Sequence, residues 1–284
     1  NMSNIKIGFL LCAYNQEEFI GDCLKDLVKF STKNGHLISA VSVPFAEYKD
    51  LEVQVDSTTD ILRKRLLSGD IDFLTDSPDH MAEADARTAA LKPLLDCDLI
   101  WLVDSDEIYS YEQLNDIANF VENSEFINWF SLSFKNYVGE GYLKEAFTPP
   151  RIFNTKIKNG KLSHFYYDND VMYDTKYGQV NYKVMSSKLV PASVAWIDHL
   201  SWTNTDKNKL KCDYQNKHFG HCSYKWEDGQ GIIFDDNYYK KETIFKNKFF
   251  VKNTSDFSFE WEITNEHKSI AGFNCTKAIS KVRS

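Results

Sequence analysis

Leu99 to Glu107 reads LIWLVDSDE, and the rest of the fold can be read outward from it. Five apolar residues in a row match a short strand buried on both faces, as in a parallel sheet. The run breaks at once into Asp104, Ser105, Asp106 and Glu107. Charges in such number do not stay in a buried strand, so a turn at its carboxyl end is predicted. Upstream, Ile5 to Ala13 (IKIGFLLCA) is a second strand of the same kind, stopping at Tyr14-Asn15. A helix pattern follows directly, with Phe19, Cys23, Leu24, Leu27 and Val28 on one face. Asn15 is placed to cap that helix, with Glu18 three residues on completing a capping box.

The alternation continues between these two runs. Leu37 to Val43 reads as a strand, Asp56 to Arg65 (DSTTDILRKR) as a capped loop entering a helix, and Ile71 to Leu74 as a short strand. Glu83 to Leu95 is a further helix, with Ala84, Thr88, Leu91 and Leu95 along one side. Beyond the acidic turn, Ser110 and Gln113 form a capping box before a helix marked by Leu114, Ile117, Ala118 and Val121. Strands alternating with helices predict an α/β class with a mostly parallel sheet.

From Phe126 the texture changes. Phe130, Leu132 and Phe134 alternate with Ser131 and Ser133, as in a half-exposed antiparallel strand. Strand-like pieces recur at Arg151 to Phe153, Val194 to Ile197, Phe249 to Val251 and Phe257 to Ile263, with a helical region near Asp206 to Lys217. The expected organisation is an α/β half over residues 1–125 continuing into a mixed half over 126–284, within one compact body.

Composition narrows the partners. The 284 residues carry a net charge of −8, which argues against a protein built mainly to coat phosphate backbones. The Lys-rich run Lys207 to Lys217 is the best candidate for a local basic patch, and it also reads as a solvated helix face. Cys12, Cys23, Cys97, Cys212, Cys222 and Cys275 are scattered without a C-x-x-C pair, so free thiols are expected rather than a zinc site or a disulfide framework. Asn1 to Lys6 carry no signal-peptide pattern, and no stretch approaches the roughly 18 apolar residues of a membrane span. A cytoplasmic protein without a transmembrane segment is expected.

In open α/β sheets ligands bind beyond the carboxyl ends of the strands, where Asp104 and Asp106 stand. Two carboxylates one residue apart on a turn can face one point. They suit a hard cation, Mg²⁺ or Mn²⁺, that shares its shell with substrate phosphates. Such an ion neutralises a diphosphate leaving group. The same turn can also serve simply to cap the helix that follows.

The order of these motifs resembles the GT-A nucleotide-sugar glycosyltransferases, and is most similar to the family 2 type that acts on lipopolysaccharide cores. The resemblance rests on Ala13-Tyr14-Asn15-Gln16-Glu17-Glu18 after a strand, Arg87 on a helix, and LIWLVDSDE. A second block adds Pro150-Arg151-Ile152-Phe153 and Ile197-Asp198-His199-Leu200-Ser201-Trp202, followed by Lys209 or Lys211 and Tyr214. It implies a GT-A (Rossmann-like) fold with a C-terminal mixed extension, and metal-dependent transfer of a single sugar from a nucleoside-diphosphate sugar to a hydroxyl. The acceptor would be a glycan, a lipid-linked glycan such as lipopolysaccharide, a protein, or a hydroxymethylated base in phage DNA.

The resemblance also assigns residues. Asp104 and Asp106, joined by His199, would hold the Mn²⁺ or Mg²⁺. Ala13, Tyr14, Asn15, Asp104 and Ser105 would line the donor. Arg87 would pair with a phosphate or a donor-binding carboxylate, and Lys211 or His218 would reach the diphosphate. The acidic loop usual after the second strand is missing, so either Glu47 or Asp56 would meet the base. For an inverting enzyme, Asp170 or Asp168 in HFYYDNDVMYD would be the general base. A nucleotidyltransferase is the catalytic alternative, but LCAYNQEEF has no glycine-rich phosphate loop. A catalytically inactive carbohydrate-binding scaffold is the other.

Overall fold

The computed structural model describes residues 5–46, 49, 54–124, 127, 129–138, 140–143, 148–157, 160–161, 165–168, 171–174, 187–203, 212, 231–234, 237–244, 247–252, 260–270 and 273–281. The chain opens with β1 (Ile7–Cys12), α1 (Glu17–Asn34), β2 (Leu37–Ser42), α2 (Thr58–Ser68), β3 (Phe73–Asp76) and α3 (Glu83–Leu91). Next come β4 (Leu99–Asp104), β5 (Glu107–Ile108), α4 (Tyr111–Glu122), β6 (Trp129–Val138), β7 (Gly141–Leu143) and β8 (Pro150–Asn154). Short strands follow as β9 (Lys156–Ile157), β10 (Gly160–Lys161), β11 (Phe165–Asp168), β12 (Val171–Asp174) and β13 (Ser187–Val190). The chain continues through β14 (Trp196–Trp202), β15 (Gly231–Phe234), β16 (Asn237–Ile244), β17 (Asn247–Lys252), β18 (Glu260–Ile270) and β19 (Phe273–Lys281). These elements form two units, one over residues 1–134 and 147–198, the other over 135–146 and 199–284.

The first unit is a mixed, mostly parallel sheet flanked by helices, so the α/β class is as predicted. Four parallel strands lie in the order β3-β2-β1-β4, with Phe9 facing Ile38 on one side and Trp101 on the other. Antiparallel β8 closes on β4, and the first part of β6 closes on β8. Winding from β1 runs outward through β2 and β3 and then jumps back to β4. The strand order therefore reverses between β1 and β4, the crevice where doubly wound sheets bind ligands.

Each face of the sheet has its own core because strand side chains alternate. Ile7, Phe9 and Leu11 of β1, with Leu99, Trp101 and Val103 of β4, pack on α1, α2 and α4. Leu10, Cys12, Ile100 and Leu102 pack on Ala86, Ala90 and Leu91 of α3. Trp101 is fully buried, 5.3 Å from the Phe9 ring and edge-on to Tyr109 at 5.7 Å. Gly8 sets how close the other layer comes: a Cβ there would lie 3.0 Å from both Cys97 Sγ and Leu94 Cβ.

Two local expectations are corrected. Asn15 does not cap α1, and Glu18 completes no box with it; the helix starts after Gln16, and Asn15 has φ 55°. Its side chain is taken by the segment at Gln54–Asp56, so a tertiary partner has replaced the local cap. Nor is β6 half exposed at Ser133. That residue is buried with its Oγ donating to Val190 O at 2.9 Å, because β13 runs parallel beside β6. The Ser110–Gln113 box is present as predicted, with Ser110 N donating to Gln113 Oε1 (2.7 Å) and Gln113 N to Ser110 Oγ (3.1 Å).

His36 stands between the Phe9 and Phe30 rings, 7% exposed, its Nδ1 accepting the Ile7 N–H at 3.3 Å. Burial lowers its pKa from 6.5 to about 4. The folded state thus prefers the neutral ring, so its contribution is complete above pH 6.5 and is lost as pH falls toward 4. The shift corresponds to about 3 kcal/mol. In urea titrations, His36→Gln will flatten the fall in stability between pH 6.5 and 4 relative to the parent. Equal slopes in the two proteins would refute this.

In the second unit, β7 pairs with the last part of β6, and β15, β16 and β17 follow as an antiparallel meander from β7. β18 and β19 form a long hairpin with a register shift between Ile263 and His267. The helix predicted at Asp206 to Lys217 lies outside the described residues except for Cys212. Free thiols are found at Cys12, Cys23, Cys97 and Cys275, but Cys212 is disulfide-bonded, which corrects the expectation for that residue. Disulfides need two Cα atoms brought within about 7 Å, a property of the folded path rather than of sequence spacing. Among the described residues, no helix is long and apolar enough to cross a membrane.

Candidate functional site

The carboxyl tips of β1, β2 and β4 are stitched together by backbone. Ala13 N donates to Val41 O at 3.0 Å and Ser105 N to Cys12 O at 3.1 Å. The Tyr14–Asn15 loop and the Asp104–Asp106 turn therefore leave neighbouring strands on either side of the crevice. Ala13 and Ser105 are buried; Tyr14, Asn15, Asp104 and Asp106 are half-buried.

Asp104 is gripped from both sides. Its Oδ1 lies 3.1 Å from Arg87 Nη2 and its Oδ2 3.1 Å from Arg151 Nη2. Both guanidiniums are withdrawn from water, their side chains 7% and 5% exposed, while Asp104 retains 26%. Arg87 also reaches Glu83 Oε1 one helical turn away at 2.9 Å. Arg151 also donates from Nη2 (2.6 Å) and Nε (2.8 Å) to Glu107 Oε1, and Glu107 Oε2 accepts the Tyr109 hydroxyl at 3.0 Å. Acids and bases thus alternate in a chain: Glu83, Arg87, Asp104, Arg151, Glu107.

Burial dominates the electrostatics of this corner. Glu107 is wholly buried, and desolvation pushes its carboxyl up to about 7 against the pull of Arg151. Cys12 is pushed up to about 12 by burial, with Arg87 acting in the opposite sense. The Tyr14 phenol is also raised, first by burial and then by the negative charge of Asp56.

Arg87 and Arg151 come together on Asp104, so the carboxylate that Arg87 meets is that of the acidic turn itself. Asp168 lies on β11, whose backbone runs beside α3, the helix that carries Arg87 and Glu83. His199 belongs to the second unit, where its Nδ1 is 3.0 Å from Asn136 Oδ1. Asp170, Glu47, Lys211 and His218 lie outside the described residues. Asp56 is at the mouth of α2, its carboxylate bonded to Thr58 and to the first turn of α1.

Sequence reading gave no role to Glu107, Glu83 or Arg151. A signal existed for the last: Arg151 stands next to Ile152 and Phe153 in a strand with a buried middle. A cation in that place must find a carboxylate.

Whether this corner suits a cation can be judged from its donors. Among the described residues no group of three or more His, Cys, Asp and Glu gathers at metal-binding spacing. Two carboxylates at a partly exposed turn nevertheless match how Mg²⁺ is held, by one or two acids with phosphates and water supplying the rest. Both oxygens of Asp104 are engaged by Arg87 and Arg151, so an ion arriving with a diphosphate would have to share that carboxylate with the two guanidiniums.

No family model and no curated protein matches the chain. Among solved structures it is similar to residues 1–349 of S. aureus TarS in complex with UDP (22% identity, TM-score 0.34, covering 47% of this chain and 36% of that one). It is similar to Mycobacterium tuberculosis glucosyl-3-phosphoglycerate synthase with Mg²⁺ and UDP (15%, TM-score 0.33, 46% and 44%). It is also similar to the mannosyltransferase PcManGT of Pyrobaculum calidifontis with GDP-Man and Mn²⁺ (13%, TM-score 0.46, 77% and 64%). The chain spans less than two thirds of the length of each.

Proposed function

We propose that this chain is a nucleotide-sugar glycosyltransferase that moves one sugar from a nucleoside diphosphate to a hydroxyl acceptor. The observation that carries the reading is the half-buried Asp104–Asp106 turn across the β1/β4 crevice from the Tyr14–Asn15 loop. In this reading the loop lines the nucleoside, with the Tyr14 ring available for stacking. Base recognition falls to the segment after β2, where Glu47 lies. Asp104 and Asp106 hold a divalent cation, which when bound offsets the charge of the departing diphosphate.

The chain's own residues do the positioning. Arg87 and Arg151 fix both oxygens of Asp104, so its carboxylate is oriented before substrate arrives and needs no reorganisation during the reaction. Glu107 in turn fixes Arg151. For inversion, a carboxylate takes the acceptor's proton as its oxygen attacks the anomeric carbon. Asp168 and Asp170 are the residues proposed for that step, and the strand of Asp168 runs beside α3.

The test is a thermal-shift and turnover panel of nucleotide sugars with Mn²⁺ or Mg²⁺. A true donor at a hundred times its Kd should raise Tm by about 5 °C or more. Asp106→Ala should remove the metal-dependent part of that rise together with turnover. If no nucleotide sugar shifts or is consumed by the parent protein, or if the Asp106→Ala response is unchanged, the reading fails.

A further inference from the structure

Where the Tyr14–Asn15 loop passes into α1, it is tied to a segment some forty residues later. Asn15 Nδ2 donates to Gln54 O at 3.3 Å, and its Oδ1 accepts the Asp56 N–H at 3.0 Å. Gln16 N donates to Thr58 Oγ1 at 2.7 Å. Glu17 Oε2 accepts from Ser57 N (3.1 Å) and Ser57 Oγ (2.7 Å). Asp56 is the hub: its Oδ2 accepts the Glu17 N–H at 3.1 Å, and its Oδ1 accepts Thr58 N (2.9 Å) and Thr58 Oγ1 (2.5 Å).

One carboxylate therefore serves the first turns of two helices, α1 and α2. An anion there satisfies N–H groups that have no partner within their helix and meets the positive end of both dipoles. Neither helix has a side-chain bond from its own cap residue, Gln16 or Ser57, so Asp56 does for both what local caps usually do. The clasp also explains Asn15. A left-handed backbone is costly for a residue other than glycine; Asn tolerates it better than most, and here both polar atoms of its amide are held by Gln54 and Asp56.

We infer that Asp56 is a positioning residue for the nucleotide loop rather than a reader of the base: it clamps Asn15–Glu17 onto Gln54–Thr58 and so presets the backbone of Ala13–Asn15. The inference rests on the nucleotide-sugar reading. Both oxygens of Asp56 already accept bonds from the clasp, and a base edge would have to compete with those bonds. A preset loop spends less ordering entropy on binding, and that saving is independent of which base is bound.

The experiment is calorimetry of the intact protein with UDP, GDP, CDP and ADP in Mn²⁺. Asp56→Ala should weaken every diphosphate that binds by about tenfold, in line with the loss of a strong cap, leaving their ratios unchanged. Asp56→Asn keeps one acceptor oxygen but turns an NH₂ toward the Glu17 N–H or toward Thr58, so it should recover only part of the affinity. Thr58→Val removes the acceptor for Gln16 N while keeping Asp56. It should weaken binding in the same uniform way, and it keeps the test decisive if Asp56→Ala folds poorly. Ratios between bases that change more than threefold in Asp56→Ala, or affinities unmoved in Thr58→Val, would overturn the assignment. Absence of any diphosphate binding by the parent would instead overturn the function on which it rests.

Discussion

Arg151→Met will destabilise the protein by about 3–5 kcal/mol, the cost of removing one partner from a buried ion pair. Arg151 is 4% exposed and Glu107 not at all, so no water is at hand for the carboxyl left behind, which, already pushed up to about 7, must take up a proton at a cost to folding. Glu107 would keep only the Tyr109 hydroxyl, having lost two donors at 2.6 and 2.8 Å. The loss would reach Asp104 too, since the same Nη2 group lies 3.1 Å from its Oδ2. Methionine fills much of the arginine stem's volume, which separates lost charge from lost packing. The double variant Arg151→Met/Glu107→Gln is the control, because it removes the stranded acid. It should recover at least half of the deficit in urea denaturation. A single-variant cost below about 1 kcal/mol, or a double variant no better than the single, would mean the pair is not the anchor proposed.

On the proposed reaction, Asp104→Asn will lower kcat/KM for the nucleotide sugar by about 10²–10³-fold, the range for deleting one preorganised electrostatic group. An amide keeps the shape but replaces one acceptor oxygen with an NH₂ donor. Whichever way it turns, that donor meets Arg87 or Arg151, each 3.1 Å from a carboxylate oxygen in the parent. The side chain is driven out of its place, and the turn loses the negative charge through which a cation would be held. Folding should suffer less than turnover, by about 1–3 kcal/mol, since Arg151 retains Glu107. Steady-state kinetics with saturating metal provide the check. A loss under tenfold would place the chemistry somewhere other than this turn.

Much of the first unit could be read directly. LIWLV and IGFLL are strands because nothing in them tolerates water, and DSDE is a turn because nothing in it tolerates a core. The Ser110 box was legible for the same reason: its two partners are three residues apart. The features that escaped depend on partners far away in the chain. Asn15 looked like a cap until Gln54–Asp56 claimed its amide. Ser133 looked exposed until a strand some fifty-five residues later covered it. Glu107 and Arg151 are forty-four positions apart, and each looks unremarkable beside its own neighbours. Their pairing follows only once β8 is laid against β4, which brings Ile152 opposite Trp101.

Cys23 and Cys97 are sealed in the two cores of the first unit and Cys12 lies at the edge of one, and burial holds the thiols of Cys12 and Cys23 far from ionisation. Alkylating reagents attack the thiolate, so they find nothing to react with while the layers stay closed. Each modification event at these sulfurs thus records a moment when the sheet parted from its helices. The molecule carries an intrinsic clock for its own breathing, one that needs no introduced label.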